Sequence, residues 1–207
     1  MGYLLANPER VSQLFLQHLS LVALALAIAV AIAIPAGIAV SGHAGARALL
    51  LGILGIVYTI PSLALFGMLV PWFGLGYYSA LIALVAYCQM VLVRNTILAM
   101  NSINPSVIEA AQGMGMNRWQ ILFRVEFPLA LPLIMSGLRL ATVTTIGLAS
   151  IAAYIDAGGL GTLIFEAIRT DNNSKVIAGT IMLALMAIAA DALFRLGDFW
   201  LRLRPRT

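Results

Sequence analysis

The sequence predicts an all-α membrane protein with five transmembrane helices, its N-terminus outside and its C-terminus cytoplasmic. Three observations carry this. Of 207 residues, 62% are Ala, Val, Ile, Leu, Met, Phe, Trp, Tyr or Cys and a further 18 are glycine, far above the roughly 45–50% apolar usage of soluble domains. Charged residues make up 10% of the chain and mean hydropathy is +1.00. The apolar residues also fall in runs of about 20, the length that crosses a bilayer as helix. A water-soluble enzyme of this size could not hide so much apolar surface, because even folded soluble domains clothe themselves in polar groups.

Taken in order, the runs give spans at about 19–40, 49–70, 78–98, 129–155 and 176–196 within one domain, 1–207, whose core is about 15–198. The first run is full length and is preceded by Glu9 beside Arg10 rather than by a basic cluster, so it reads as a retained span and not a cleaved signal. Lys and Arg set the orientation, since cytoplasmic loops retain them. With five spans, one side carries Arg47, Arg94, Arg118, Arg124, Arg195, Arg202, Arg204 and Arg206, and the other Arg10, Arg169 and Lys175. The side richer in arginine is the inside. Net charge is +4 and the pI about 9.6, but the cations are scattered between apolar runs, so nucleic acid is not an expected partner; the lipid bilayer is. The single cysteine, Cys88, lies in an apolar run and forms no intrachain disulfide.

The connection between the third and fourth spans, about 101–128, is long and polar, and loops of that kind are usually functional. It has helix grammar. Asn104 suits an N-cap and Pro105 the first helical position, with Ser106 to Ala111 continuing in helix-compatible residues. Gly113 and Gly115 let the backbone turn, and a second short helix after Asn117 carries Trp119, Leu122 and Phe123 on an apolar face until Pro128 marks the entry to span four. Two short helices meeting at a glycine elbow on the cytoplasmic side are expected.

Glu109-Ala110-Ala111, three residues, Gly115, nine residues, then Val125-Glu126-Phe127-Pro128 resembles the EAA loop of permease subunits of bacterial ABC importers. Val125 and Phe127 stand where that pattern has Ile and Leu. Over nearly the whole chain, Tyr58 to Leu65, Val93-Arg94-Asn95-Thr96, Gly113-Met114-Gly115-Met116 and Gly158-Gly159-Leu160-Gly161 are similar to permeases of glycine betaine, carnitine and choline importers, and in part to the methionine-importer permeases with the same five-span core. The resemblance implies a non-catalytic type I permease subunit in the inner membrane. Its implied partners are two ABC ATPase subunits that use ATP and magnesium, a second or similar permease, and an extracytoplasmic binding protein. In this reading Glu109, Ala110, Ala111, Gly113, Gly115 and Pro128 belong to the ATPase-coupling loop. The alternative is an amphipathic hairpin that acts only as a spacer.

The chain itself binds no cofactor in this reading. Its one lysine, Lys175, lacks the glycines of a P-loop, and His18 and His43 fall in separate segments without clustered metal ligands, which makes each an interfacial residue rather than part of a metal site. Pro61, deep in the second run, should kink or break its helix. The freed carbonyl and the hydroxyls of Thr59 and Ser62 then become candidates for the translocation path, with Tyr58 and Tyr87, whose rings suit a quaternary ammonium; ordinary packing between spans is the alternative. Arg139 is either a charge within the fourth span or, if that helix starts in the cytoplasm, one that snorkels to the interface. Gly158, Gly159 and Gly161 form a flexible turn on the outer side, a candidate gate. The segment that follows, to about 170, presents Leu160, Leu163, Ile164, Ala167 and Ile168 on one face of a surface helix, with Thr162, Glu166 and Arg169 opposite. A self-sufficient secondary carrier or channel and a non-transporting scaffold are the competing functional classes.

Overall fold

A computed structural model describes residues 6–203, with side chains through 197. Arg204 and Arg206, used above for orientation, lie outside the described residues, as does the side chain of Arg202. The described residues are helical with short connections. Long apolar stretches leave the backbone no partner but itself in lipid, and a helix closes every bond internally. The helices are α1 (Pro8–Ser41), α2 (Ala44–Thr59), α3 (Ser62–Phe73), α4 (Tyr77–Asn101), α5 (Pro105–Gly113), α6 (Arg118–Ile121), α7 (Phe127–Ala152), α8 (Gly161–Arg169) and α9 (Asn173–Leu203). Among the described residues four helical stretches are long and apolar enough to cross a membrane, and the count becomes five if α2 and α3, bent by 94° at Ile60 and Pro61, make one span. The first helix starts at Pro8, well before Leu19 where the apolar run begins.

α4 is the centre of the bundle, packed on α1 and α7. Lipid tails are as apolar as leucine, so helices here hold together through close backbone approach and small side chains. On α1, Ala25, Ala29 and Ala33 are fully buried at four-residue spacing, and Gly37 continues the row. A Cβ on Gly37 would sit 2.7 Å from the Cβ of Thr96, and one on Gly137 of α7 would sit 2.5 Å from the Cβ of Asn95. The Asn95 amide and the Thr96 hydroxyl turn back to their own helix, donating to Val91 O and Leu92 O respectively, both at 2.8 Å. Within the segment Val93–Thr96, singled out above by resemblance, Val93, Asn95 and Thr96 thus meet the neighbouring helices while Arg94 is exposed. Cys88 is buried and contacts Thr145 at 3.0 Å. Because Thr145 donates to Ala141 O, the thiol is the donor in that contact.

His18 is 1% exposed, which corrects its reading as an interfacial residue. Its Nε2 donates to the Ile146 carbonyl at 3.1 Å, while Nδ1 faces the backbone of Gly159 without a partner among the described residues. At the bundle's other end the Asn101 amide, oriented to satisfy its neighbours, joins Ser41 O and Arg47, tying together α1, α2 and α4.

Candidate functional site

The connection between α4 and α7 is built as local chemistry dictates. Asn104 accepts from the Ser106 N–H at 3.0 Å and caps α5. Asn117 and Gln120 form a reciprocal capping box at the start of α6, with bonds of 2.8 and 2.9 Å. Between them Gly115 has φ +77°, a conformation that costs any residue with a Cβ. Gly113 is the last helical residue of α5, so the turn belongs to Gly115 alone, a correction to the two-glycine elbow. Glu109 and Ala110 are exposed on α5, whereas Ala111 is buried and anchors the helix.

The second helix does not stop at Pro128. Leu122–Glu126 is a π turn in which the Phe127 N–H bonds Leu122 O, and it leads without a break into α7. The wider turn accommodates a proline that has no N–H to give. The hairpin's second limb is therefore the beginning of a stretch running from Arg118 to Ile155. Trp119 and Phe123 stack on it, ring centroids 6.0 Å apart, and are 69% and 63% exposed. The two stacked aromatics form an exposed apolar surface.

At the α2–α3 break, the Ile60 N–H returns to Val57 O at 3.2 Å, and Thr59 donates to Ile56 O at 2.7 Å. The Ile60 carbonyl, at the break itself, accepts from the Tyr87 hydroxyl of α4. Tyr58 meets Tyr87 edge-on at 5.9 Å. Tyr58, Thr59 and Pro61 are exposed, Ser62 is half-buried and Tyr87 is buried. The five residues named from sequence thus share one place, but Thr59 is engaged with its own helix and Tyr87 serves the backbone. Tyr87→Phe should lower stability by about 1 kcal/mol, the net value of one such bond, read as a lower thermal unfolding midpoint of the solubilised chain. An unchanged midpoint would show that the hydroxyl does not hold the break.

The glycine turn after α7 is closely packed rather than flexible. The Gly159 N–H donates to Gln17 Oε1 at 3.3 Å, a Cβ on Gly159 would lie 2.9 Å from His18 Nδ1, and one on Gly161 would overlap Ser150 O. Leu160, Leu163 and Ala167 are buried as the helical spacing anticipates, but Ile168 is exposed, turned away from the bundle. Glu166 of α8 pairs with Arg10 of α1 and lies 4.0 Å from Lys175 of α9. One carboxylate thereby joins three helices at the end remote from the hairpin.

Arg139 has a partner that sequence reading missed. It pairs with Asp191 of α9, whose second oxygen accepts from Arg195 at 2.8 Å. The charge of Arg139 is thus met by a carboxylate of a neighbouring helix, at the edge of the bundle. An aspartate as the one charge between Lys175 and Arg195 was the available signal.

A helical bundle of this kind, with apolar helices of membrane-spanning length, defines a multi-pass membrane protein. Residues 29–203 match the family described as the binding-protein-dependent transport system inner membrane component, and the chain belongs to that family. It is 42% identical over 194 residues to the osmoprotectant import permease protein OsmW of Salmonella typhimurium, covering 91% of this chain and 90% of that one. It is 34% identical to the carnitine transport permease protein OpuCB of Listeria monocytogenes over 92% of this chain and 86% of that one. A 42% identity to the ergothioneine transport permease/ergothioneine binding protein EgtU of Helicobacter pylori spans 75% of this chain but 28% of that longer protein. In fold it is similar to an inward-facing structure of the MetNI methionine ABC transporter, with TM-score 0.75 and 23% identity over 90% of this chain and 95% of that one. The chain is an ABC importer permease of the inner membrane.

Proposed function

We propose that this chain is the permease subunit of an ATP-driven, binding-protein-dependent importer of quaternary ammonium osmoprotectants, with its N-terminus outside and the hairpin in the cytoplasm. The observation that carries the reading is the hairpin itself. An exposed Glu109 helix is set by Gly115 against a second limb that runs through the π turn into α7. A helix docked on an ATPase and joined to a spanning segment transmits movement, whereas a loose loop absorbs it. The exposed Trp119–Phe123 stack adds an apolar surface of the kind a partner covers.

In this reading two permeases, this chain twice or with a similar partner, enclose the path. Two ATPases dock below, and a binding protein delivers solute from outside. ATP and magnesium are held by the ATPases. ATP binding brings the ATPases together, the hairpins move with them, and the spans change which side the path faces; solute and nucleotide shift this equilibrium only through unequal affinity for its states. Glu109, Ala110, Ala111, Gly113, Gly115 and Pro128 serve the docking. Tyr58 offers an exposed ring to a cation at the break, held by Tyr87 and flanked by Thr59, Pro61 and Ser62. Gly158, Gly159 and Gly161 close the outer end. The relatives named for osmoprotectant, carnitine and ergothioneine transport support a trimethylammonium solute.

The test is ATPase stimulation. The chain copurified with its ATPase and candidate binding protein should respond to glycine betaine, carnitine, choline or ergothioneine. Stimulation by methionine alone would move it to the methionine importers.

A further inference from the structure

We propose that Arg139 is a positioning residue for transport: its ion pair with Asp191 is a contact between α7 and α9 that must break and re-form in each cycle, while Arg195 holds Asp191 when it is broken. The proposal rests on the permease reading above and assigns a coupling role within it.

The two helices differ in what they are attached to. α7 continues the hairpin's second limb through the π turn, so any displacement of the hairpin is felt first by α7. α9 has no backbone link to the hairpin and is tied at its far end to α8 and α1 through Glu166, Lys175 and Arg10. Arg139 lies roughly 18 Å along α7 from its start, at 1.5 Å per residue, which is within the apolar stretch. Ionisable groups at such depth are rare and costly, and they mark functional contacts.

The composition of the cluster decides between a fixed strut and a contact that opens. One carboxylate faces two guanidinium groups, one on each of its oxygens. Breaking an isolated buried pair would leave an unpaired charge in a poor solvent, which is strongly unfavourable. Here Arg195 stands four residues from Asp191 on the same helix, so it travels with Asp191 whatever α7 does. When α7 moves, Asp191 stays paired, and only Arg139 changes surroundings. The pair is not enclosed: Asp191 and Arg195 line an open groove together with Val143, Ala187, Ile188 and Ala192. Side-chain exposures of 33% for Arg139, 26% for Asp191 and 68% for Arg195 fit a pair at the edge of the bundle rather than one locked in its core.

The test uses the complete complex of permease, ATPase and binding protein in vesicles, with glycine betaine or whichever solute of the panel above stimulates the unaltered complex. Arg139→Ala and Asp191→Asn should raise ATPase activity without solute and reduce solute stimulation about fivefold or more, the lower end of coupling between distant sites. Arg139→Lys, which keeps the charge, should retain most of the stimulation. A reversible bis-methanethiosulfonate linker between Arg139→Cys and Asp191→Cys, with Cys88→Ala, separates the two mechanisms. A contact that must open predicts that linking stalls ATPase activity and that reductant restores it. A fixed strut predicts that linking restores solute stimulation, and that result would overturn the proposal, as would unaltered stimulation in Arg139→Ala and Asp191→Asn. If Arg139→Ala fails to assemble, Asp191→Asn and the linker decide. No stimulation of the unaltered complex by any panel solute would instead defeat the osmoprotectant-importer reading, and this proposal with it.

Discussion

Gly115→Arg should abolish solute-stimulated ATPase activity and uptake while the complex still copurifies. The reasoning turns on what the position does and does not touch. A Cβ on Gly115 would meet nothing within 4 Å, and the φ of +77° is the sole obstacle to a side chain. The left-handed backbone costs roughly 1–2 kcal/mol for an ordinary residue, too little to unfold a bundle whose core lies elsewhere. It is enough to make the turn relax and swing α5 away from the limb that enters α7. The substituents should therefore grade by backbone tolerance: Asn, which enters this region readily, should keep most coupling, Ala less, and a β-branched Val least. Glu109→Ala belongs with this series. Glu109 is exposed and has no hydrogen bond or ion pair among the described residues, so its loss should change stability by no more than about 0.5 kcal/mol. Uptake should nonetheless fall sharply. Full transport by Gly115→Arg would remove the hairpin from the mechanism.

Gly161→Ala should have the opposite profile, with assembly lost before function can be measured. Its Cβ would overlap the Ser150 carbonyl, a backbone atom that cannot rotate aside, and would crowd the Cβ of Ala153 at 2.9 Å. Overpacking of this kind sits at or above the roughly 3 kcal/mol end of the usual range. Gly147→Ala, on α7 where a Cβ would meet nothing within 4 Å, is the control. It should stabilise by roughly 0.5–1 kcal/mol by relieving a glycine in mid-helix. Yield and thermal unfolding of the two solubilised variants check both signs, and equal behaviour would show that the α7–α8 junction is looser than its geometry.

The contrast between these sites marks what was legible in the sequence. Local grammar was. Asn104 before Pro105 and Asn117 before Gln120 act within one turn of their own positions, so their caps follow from residue type and spacing. Long apolar runs likewise announce spanning helices, and Pro61 announces a break. What remained hidden depends on partners distant in the chain. A run apolar on every side does not tell which face meets protein and which meets lipid, so the burial of His18 against Ile146 and Gly159 has no local sign. Arg139 finds Asp191 across 52 residues; two charges in two apolar helices suggest a pair without specifying it. The π turn at Leu122–Glu126 has no sign in the sequence, where Pro128 marks a helix boundary by residue type; one extra residue in the turn lets the helix pass through it. Gly113 was given a role in the turn that Gly115 fills alone.

The central claim is that the hairpin makes transport depend on an ATPase outside this chain. Uptake of labelled solute into vesicles tests it most directly, with the permease reconstituted alone, with the ATPase, and with ATPase and binding protein together. Uptake is expected only in the complete system, with ATP on the hairpin side. Concentrative uptake by the permease alone, driven by an ion gradient, would contradict it and make the chain a secondary carrier.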